Sequence, residues 1–362
     1  MNPEPVVHTT REAFRATAHD ARADARIPVE VRVAVDDPFE AYRRARHSAG
    51  EGGFYLETGG GRPGWGHFGV DPVAFHTVEA ADAAERGDAA DTVENDGDTD
   101  AAGSDREDSL AALAAFLEGE TLVRGACEIP YPCGVVGWLS YDIARELESL
   151  PDDARDDRGL PRLQLGHYDR VAAWEIQASE AGAGSAAGVE TTLRVTACPR
   201  VDDPDAAYEA GRERARGLAR AAIEGDPAVD KPASGAAVDD RVGGESDAGL
   251  AEAVAAVFPG GTITGAPKPR TMELIDAVET TRRGPYTGSA GIFGFDGRAT
   301  LSILIRTLVR HRGEYHLRVG AGIVDDSDPD REYDETLDKA RGVLEAVDAA
   351  LGERAGTAVE GR

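Results

Sequence analysis

Lysine is almost missing from this chain: among 362 residues only Lys231, Lys268 and Lys339 occur, and arginine supplies the rest of 39 basic side chains against 67 acidic ones. A formal net charge of -28 repels nucleic acid and anionic lipid, which excludes both as expected partners. Cysteine is equally sparse. Cys127, Cys133 and Cys198 form neither an even set nor a CxxC pair, so neither a disulfide framework nor a zinc site is indicated. No apolar run reaches the length of a membrane span, and the start at Met1 has no basic region followed by an apolar one. A reducing cytoplasm fits these absences. One further gap matters later: no histidine lies between His167 and His311.

Acid-rich, lysine-poor composition suits a protein kept soluble at high salt, where screening weakens repulsion among carboxylates. A halophilic host is the expectation. Two of the three lysines, Lys268 and Lys339, then fall inside the motifs described below, which makes them candidates for specific anion or carboxylate contacts rather than surface decoration.

From the start, short apolar runs alternate with turn residues. A strand is expected over 29–35, a helix from Asp37-Pro38 through 41–46 and a strand over 53–57. Residues 80–108 carry almost nothing to bury and read as an acidic insertion without a fold of its own. Ser109 is expected to cap a helix over 110–117. Pro130 to Asp142 is rich in glycine and aromatics and leads into a helix over 143–150. A strand pair follows over 168–177 and 190–197, tipped by the glycines of 182–188, and then an amphipathic helix over 205–224. Residues 226–247 are a linker by composition, and 248–257 resumes as helix.

Chemistry-bearing residues gather in two runs, Phe258 to Lys268 and Gly320 to Thr336. Gly260 to Gly265 has the Walker A spacing, but Ala266-Pro267 separates it from Lys268; Gly320-Ala321-Gly322 has Asp325 where a Rossmann fingerprint needs glycine. Neither is a nucleotide motif. The second run reads as a strand entering a helix, with Asp328 as N-cap and Pro329 at the first helical position. Glu332 and Glu335, three apart, share one helix face, a pairing that suits Mg²⁺ or, alternatively, a solvated acidic helix start. Between the runs, 290–295, 299–310 and 315–324 read as a three-stranded meander. Arg306 sits in its apolar middle strand, where an unpaired charge is costly, so it needs a ligand anion or a structural carboxylate. If 311 pairs with 315, Arg306 faces Gly320.

These motifs carry a resemblance. Residues 258–344 resemble the C-terminal part of the chorismate-utilising enzymes, the family of anthranilate synthase component I and aminodeoxychorismate synthase component I. Pro-Gly-Gly-Thr, Gly-Ala-Pro-Lys, Ile-Arg-Thr, Gly-Ala-Gly-Ile-Val and the paired-glutamate helix occur in family order. The resemblance implies that Thr262, Tyr286, Arg306 and the backbone of Gly320, Ala321 and Gly322 contact chorismate, and that Glu335 holds Mg²⁺ with Glu332 beside it; Lys339, one of the scarce lysines in these motifs, joins the candidate substrate-binding residues. Gly134 to Asp142 is similar to the family's N-terminal half, with Pro132-Cys133 where two glycines are often found. Tyr55-Leu-Glu-Thr58 is similar to an element that lines the tryptophan pocket of regulated members, though an ordinary sheet edge reads the same way.

The family's glycine-threonine-arginine loop, its histidine and the helix bearing its other metal-binding glutamate have no counterpart between Asp205 and Ala248. An internal segment is therefore expected to be missing near 243–248, and no catalytic residue is assigned. The resulting expectation is an α+β chain of the anthranilate synthase component I type, large antiparallel sheets flanked by helices, with the central part of the chorismate-binding domain absent. It divides into an N-terminal αβ domain (1–204), a helix and linker (205–247) and the C-terminal part of the chorismate-binding domain (248–362). The implied function is aminodeoxychorismate synthase component I, fed with ammonia by a glutamine amidotransferase partner. Anthranilate synthase component I and an inactive chorismate or tryptophan binder are the alternatives.

Overall fold

The computed structural model describes residues 3–50, 52–59, 62–80, 108–151, 153–177, 190–226, 235–238 and 249–351. In chain order the elements begin with β1 (Val6–Val7), α1 (Arg11–Asp20), β2 (Val29–Val35), α2 (Pro38–Ser48), β3 (Gly53–Thr58), β4 (Gly64–Val70) and β5 (Ala74–Val78). Then come α3 (Ser109–Leu117), β6 (Gly134–Leu139), a 3₁₀ turn (Tyr141–Ile143), α4 (Ala144–Leu147), β7 (Leu163–Tyr168), β8 (Arg170–Ile176), β9 (Thr191–Ala197) and α5 (Pro204–Glu224). The C-terminal part holds β10 (Gly235–Val238), α6 (Leu250–Val257), α7 (Gly261–Thr264), α8 (Lys268–Val278), β11 (Ser289–Phe293), β12 (Ala299–Ile303), β13 (Leu308–His311), β14 (Glu314–Leu317) and α9 (Pro329–Leu351).

A seven-stranded sheet runs β1-β2-β9-β8-β4-β3-β10 and a five-stranded one β12-β11-β6-β7-β5, antiparallel throughout except for the parallel pair β10–β3. Period-two alternation decides which face each residue serves. In β2, Val29, Val31, Val33 and Val35 are buried, and Val31, Val33 and Val35 join Phe68, Trp174 and Leu193 in a core with Tyr42 of α2 and Leu218 of α5. The opposite face of this sheet meets the second one, where Phe54, Leu56 and Val171 pack on Val136 and Ile292. Val135, Leu139 and Phe293 point the other way, into a third cluster with Leu113 of α3 and Val254 of α6. The order of layers is thus helix, sheet, sheet, helix, with each fully buried Val, Leu or Phe contributing about 1.5–3 kcal/mol.

Helix starts follow local chemistry. Asp37 accepts hydrogen bonds from the amides of Phe39 and Glu40, and Asp203 from those of Asp205 and Ala206, each just ahead of a proline. The cap of α3 is Asp108 rather than Ser109, which lies inside the helix and bonds Glu146 instead. The expected helix over 143–150 ends at Leu147.

Several buried charges are paired with one another. Arg194 grips Glu30 through two bonds of 2.9 and 3.1 Å, and Arg26 grips Glu120 through two of 2.6 and 3.0 Å. Asp169 receives Arg214 at 2.5 Å. Removing one partner from the two buried pairs, Arg194–Glu30 and Arg26–Glu120, costs about 3–5 kcal/mol, and less from the part-exposed Arg214–Asp169 pair.

The expected domain division does not follow the layers. β11 and β12, from the C-terminal part, extend a sheet whose other strands lie before residue 170, and α5 packs on the first sheet. Within the expected linker, Gly235–Val238 forms a strand beside β3. The 182–188 tip and nearly all of the 80–108 insertion lie outside the described residues. The expected three-stranded meander breaks after Ile303: β11–β12 stays in the large sheet, and β13–β14 is a separate two-stranded ribbon.

Candidate functional site

The cluster forms where the segment after α8, the residues following β14 and the first turns of α9 converge. Asp328 accepts from the amide of Arg331 at 3.1 Å and so fixes the start of α9. Glu332, Glu335 and Lys339 then share one face. The Lys339 ammonium sits 2.9 Å from Glu335 Oε1 and donates to the carbonyl of Gly320 at 3.3 Å, tying the helix to the glycine run. Gly320 is half-buried because the Tyr286 hydroxyl covers it: a Cβ on residue 320 would lie 2.6 Å from that oxygen.

Electrostatics tie the same residues together. Hydrogen bonding and charge from Lys339 hold the Glu335 carboxyl below its usual range, with smaller contributions from Glu332 and Arg306. Burial pushes the Tyr286 phenol up, while Arg283, Arg318 and Lys339 act against it. Glu332 accepts a 2.6 Å bond from the Ser327 hydroxyl with one oxygen; its other oxygen is buried with no hydrogen-bond partner. An orphaned buried carboxylate oxygen next to a second carboxylate is the donor chemistry a hard cation uses, and Mg²⁺ commonly takes one or two carboxylates, leaving the remaining positions to water and substrate. The two glutamates therefore fit the metal. Among the described residues no group of three or more His, Cys, Asp or Glu is placed to hold one.

The expected placement of Arg306 fails here. Arg306 is not a buried residue of a middle strand. It is exposed, in the left-handed region at φ 51°, in the break between β12 and β13. The ribbon pairs His311 with Glu314 through a two-residue turn, Arg312-Gly313, so its register is one residue away from the one that sets Arg306 opposite Gly320. Arg306 still reaches the cluster through its field on Glu335. Among the described residues Lys268 meets no carboxylate within bonding distance: it donates to the carbonyl of Phe258 at 2.6 Å, and burial lowers its proton affinity.

Thr262 is exposed on the single turn α7, and among the described residues no hydrogen bond joins it to the cluster. Its neighbour Gly260 lies near Ile303 of β12. Ala321 is half-buried and Gly322 exposed with open space around it.

Sequence reasoning missed the wall behind Tyr286. The Arg283 guanidinium lies 4.7 Å from the ring centre of Tyr141 and 5.8 Å from that of Tyr286, and it is held by Glu279 at 2.6 Å. Arg318 bonds Glu279 at 3.0 Å and the carbonyl of Thr281 at 3.2 Å. Arg318 alternates with Leu317 and Val319, so strand periodicity was the available signal.

Comparison with known proteins bears on this geometry. A family model described as chorismate binding enzyme matches residues 240–345. Anthranilate synthase component 1 1 of Haloarcula marismortui is 41% identical over 520 residues, covering 98% of this chain and 99% of that one. Component 1 3 of the same organism is 38% identical over 514 residues, with 97% of each chain covered. Both alignments are longer than this chain of 362 residues while spanning nearly all of it, so the relatives carry internal residues for which it has no counterpart. Aminodeoxychorismate synthase component 1 of Bacillus subtilis is 52% identical, but over 93 residues, 26% of this chain and 20% of that one. Among solved structures, anthranilate synthase component I from Streptococcus pneumoniae aligns at 16% identity with a TM-score of 0.27; the alignment covers 95% of this chain, which spans 60% of that one. On its near full-length identity to the Haloarcula proteins and its family-model match, this chain belongs to the chorismate-utilising enzymes.

Proposed function

We propose that this chain is a component I of the anthranilate synthase type, and that its retained half-site binds chorismate together with Mg²⁺. The observation that carries the reading is Lys339, which bridges Glu335 and the Gly320 carbonyl beside the orphaned oxygen of Glu332. The full-length relatives supply the anthranilate preference, since both bear that name. Aminodeoxychorismate formation is the second reading, favoured by the local match to the Bacillus subtilis protein.

In this reading Glu335 and Glu332 hold the metal, which when bound stabilises negative charge on a substrate carboxylate as a hydroxyl leaves. Tyr286 lies over the glycine backbone and limits how a ring carboxylate can lie against the 320–322 amides. Arg306, exposed next to Glu335, supplies the cation that the substrate's second carboxylate needs. Lys339 orients Glu335. Ammonia arrives from a glutamine amidotransferase subunit, as the component I resemblance implies.

Proximity and orientation lower a barrier by several kcal/mol only when the reacting ring is held from both sides. The chain alone is therefore assigned binding, with no product from ammonia and chorismate above background. Calorimetric titration of chorismate in molar KCl, with and without Mg²⁺, tests this. Glu335→Ala should abolish Mg²⁺-dependent binding while Glu57→Ala, on β3, leaves it intact. Binding indifferent to Mg²⁺, or equal losses in both variants, would reduce the α9 carboxylates to a solvated helix start.

A further inference from the structure

Exposed large apolar side chains are not spread evenly. Among the described residues, Val278 (75% exposed), Ile305 (50%), Ile323 (75%), Val324 (64%), Tyr333 (58%) and Leu337 (40%) all lie on the elements around the candidate site. Among the described residues before 257, only Val6, Phe39, Val73 and Phe75 are comparably exposed. Tyr333 and Leu337 are four apart on α9 and share a face next to the one that carries Glu332, Glu335 and Lys339. Val278 closes α8, Ile323 and Val324 follow the glycine run, and Ile305 lies just past β12. β12 is itself the terminal strand of its sheet, paired with β11 on one side. Among the described residues β12 has no second ladder partner, although β10 comes close to it, and an edge strand flanked by exposed apolar residues is a ready template for another chain segment.

The alignments indicate what covers this face. Residues absent here but present in the Haloarcula relatives are internal, because both alignments reach nearly both ends of each chain. We propose that the β12 edge and the apolar face of α8, the 305 and 323–324 loops and α9 form a docking surface for a separate polypeptide carrying that internal segment. The occupant pairs backbone with β12 and buries the apolar residues against its own. A second copy of this chain fits less well, since it lacks the same segment and brings a further -28 of charge.

The test contains no chorismate, so failure of the proposed substrate reading leaves it standing, and the reverse. The segment of the Haloarcula component 1 1 that aligns with no residue of this chain is co-expressed with the full 362-residue protein, and complexes are sized by ultracentrifugation in molar KCl. A 1:1 heterodimer is expected, weakened at least tenfold by Val278→Asp or Tyr333→Asp and unchanged by Val73→Asp, an exposed position on the first half of the chain. The same segment spliced into the 239–248 stretch gives a second readout that does not depend on the free segment folding: amide exchange across α9 and β12 should slow at least tenfold relative to the parent chain. Absence of a heterodimer together with unchanged exchange in the spliced chain overturns the proposal. Self-association of the parent chain that Tyr333→Asp abolishes also overturns it, in favour of a second copy.

Discussion

The Tyr286 hydroxyl occupies the space a side chain at position 320 would need, 2.6 Å from where a Cβ on Gly320 would stand. A side chain at 320 therefore forces the tip of Tyr286 to shift. Gly320→Ala should displace Tyr286 and break the Lys339 contact to the Gly320 carbonyl, weakening chorismate binding at least tenfold. Tyr286→Phe should restore part of the fit in the double variant. A double-mutant cycle read by calorimetry measures the coupling, and additive losses would show that the two residues act separately.

Arg306 holds a left-handed backbone conformation at φ 51°, unfavourable for any residue with a Cβ by about 1–2 kcal/mol. Arg306→Gly should leave stability unchanged or raise it by up to about 1 kcal/mol while weakening chorismate binding. Opposite movement of melting temperature and affinity is the expected pattern. A large stability loss would mean that the guanidinium carries a structural contact.

Much of this was legible before any fold was built. Apolar runs between turn residues located β2, β8 and β9, the Asp-Pro pairs located the starts of α2 and α9, and a spacing of three placed Glu332 and Glu335 on one face. Arg306 was misplaced because Leu301 to Val309 reads as one continuous strand. The positive φ that breaks it has no signature in an Ile-Arg-Thr sequence, and a one-residue difference in hairpin turn length shifts the register. The wall of Glu279, Arg283 and Arg318 was only partly legible: periodicity could place Arg318 on a strand face and Arg283 lies four residues from Glu279, but the Arg318–Glu279 pair joins residues 39 apart, whose proximity depends on tertiary packing.

His167 is buried in β7, with its ring centre 4.9 Å from that of Phe295. Burial, helped by Arg26, lowers its pKa to about 4. The unfolded chain takes up that proton near pH 6.5, so it binds more protons than the folded one between the two values. The stabilisation is complete above about pH 6.5 and is lost as pH falls toward 4, by up to roughly 3 kcal/mol. Denaturant melts of the parent and His167→Gln should diverge in this window, with the variant flatter. Identical slopes would show that the histidine is solvated in the folded state.

Salt should act on the whole chain. With a formal charge of -28, the melting temperature is expected to climb as KCl rises from near zero to molar levels, because the Debye length shrinks from about 30 Å at 0.01 M to about 3 Å at 1 M. Scanning calorimetry across that range checks it, and a flat or falling trend would remove the high-salt reading.

β6 has β7 on one side and β11 on the other, with Val136 opposite Gly166 in one pairing and Ile292 in the other. The recognisable family block thus borrows its central hydrogen-bonding partner from a strand more than a hundred residues earlier. A protease site engineered between 226 and 249 should yield two polypeptides that still migrate as one particle. Transplanting residues 249–351 alone into another scaffold would leave the inner edge of β11 without its ladder. The unit of inheritance here is the woven sheet.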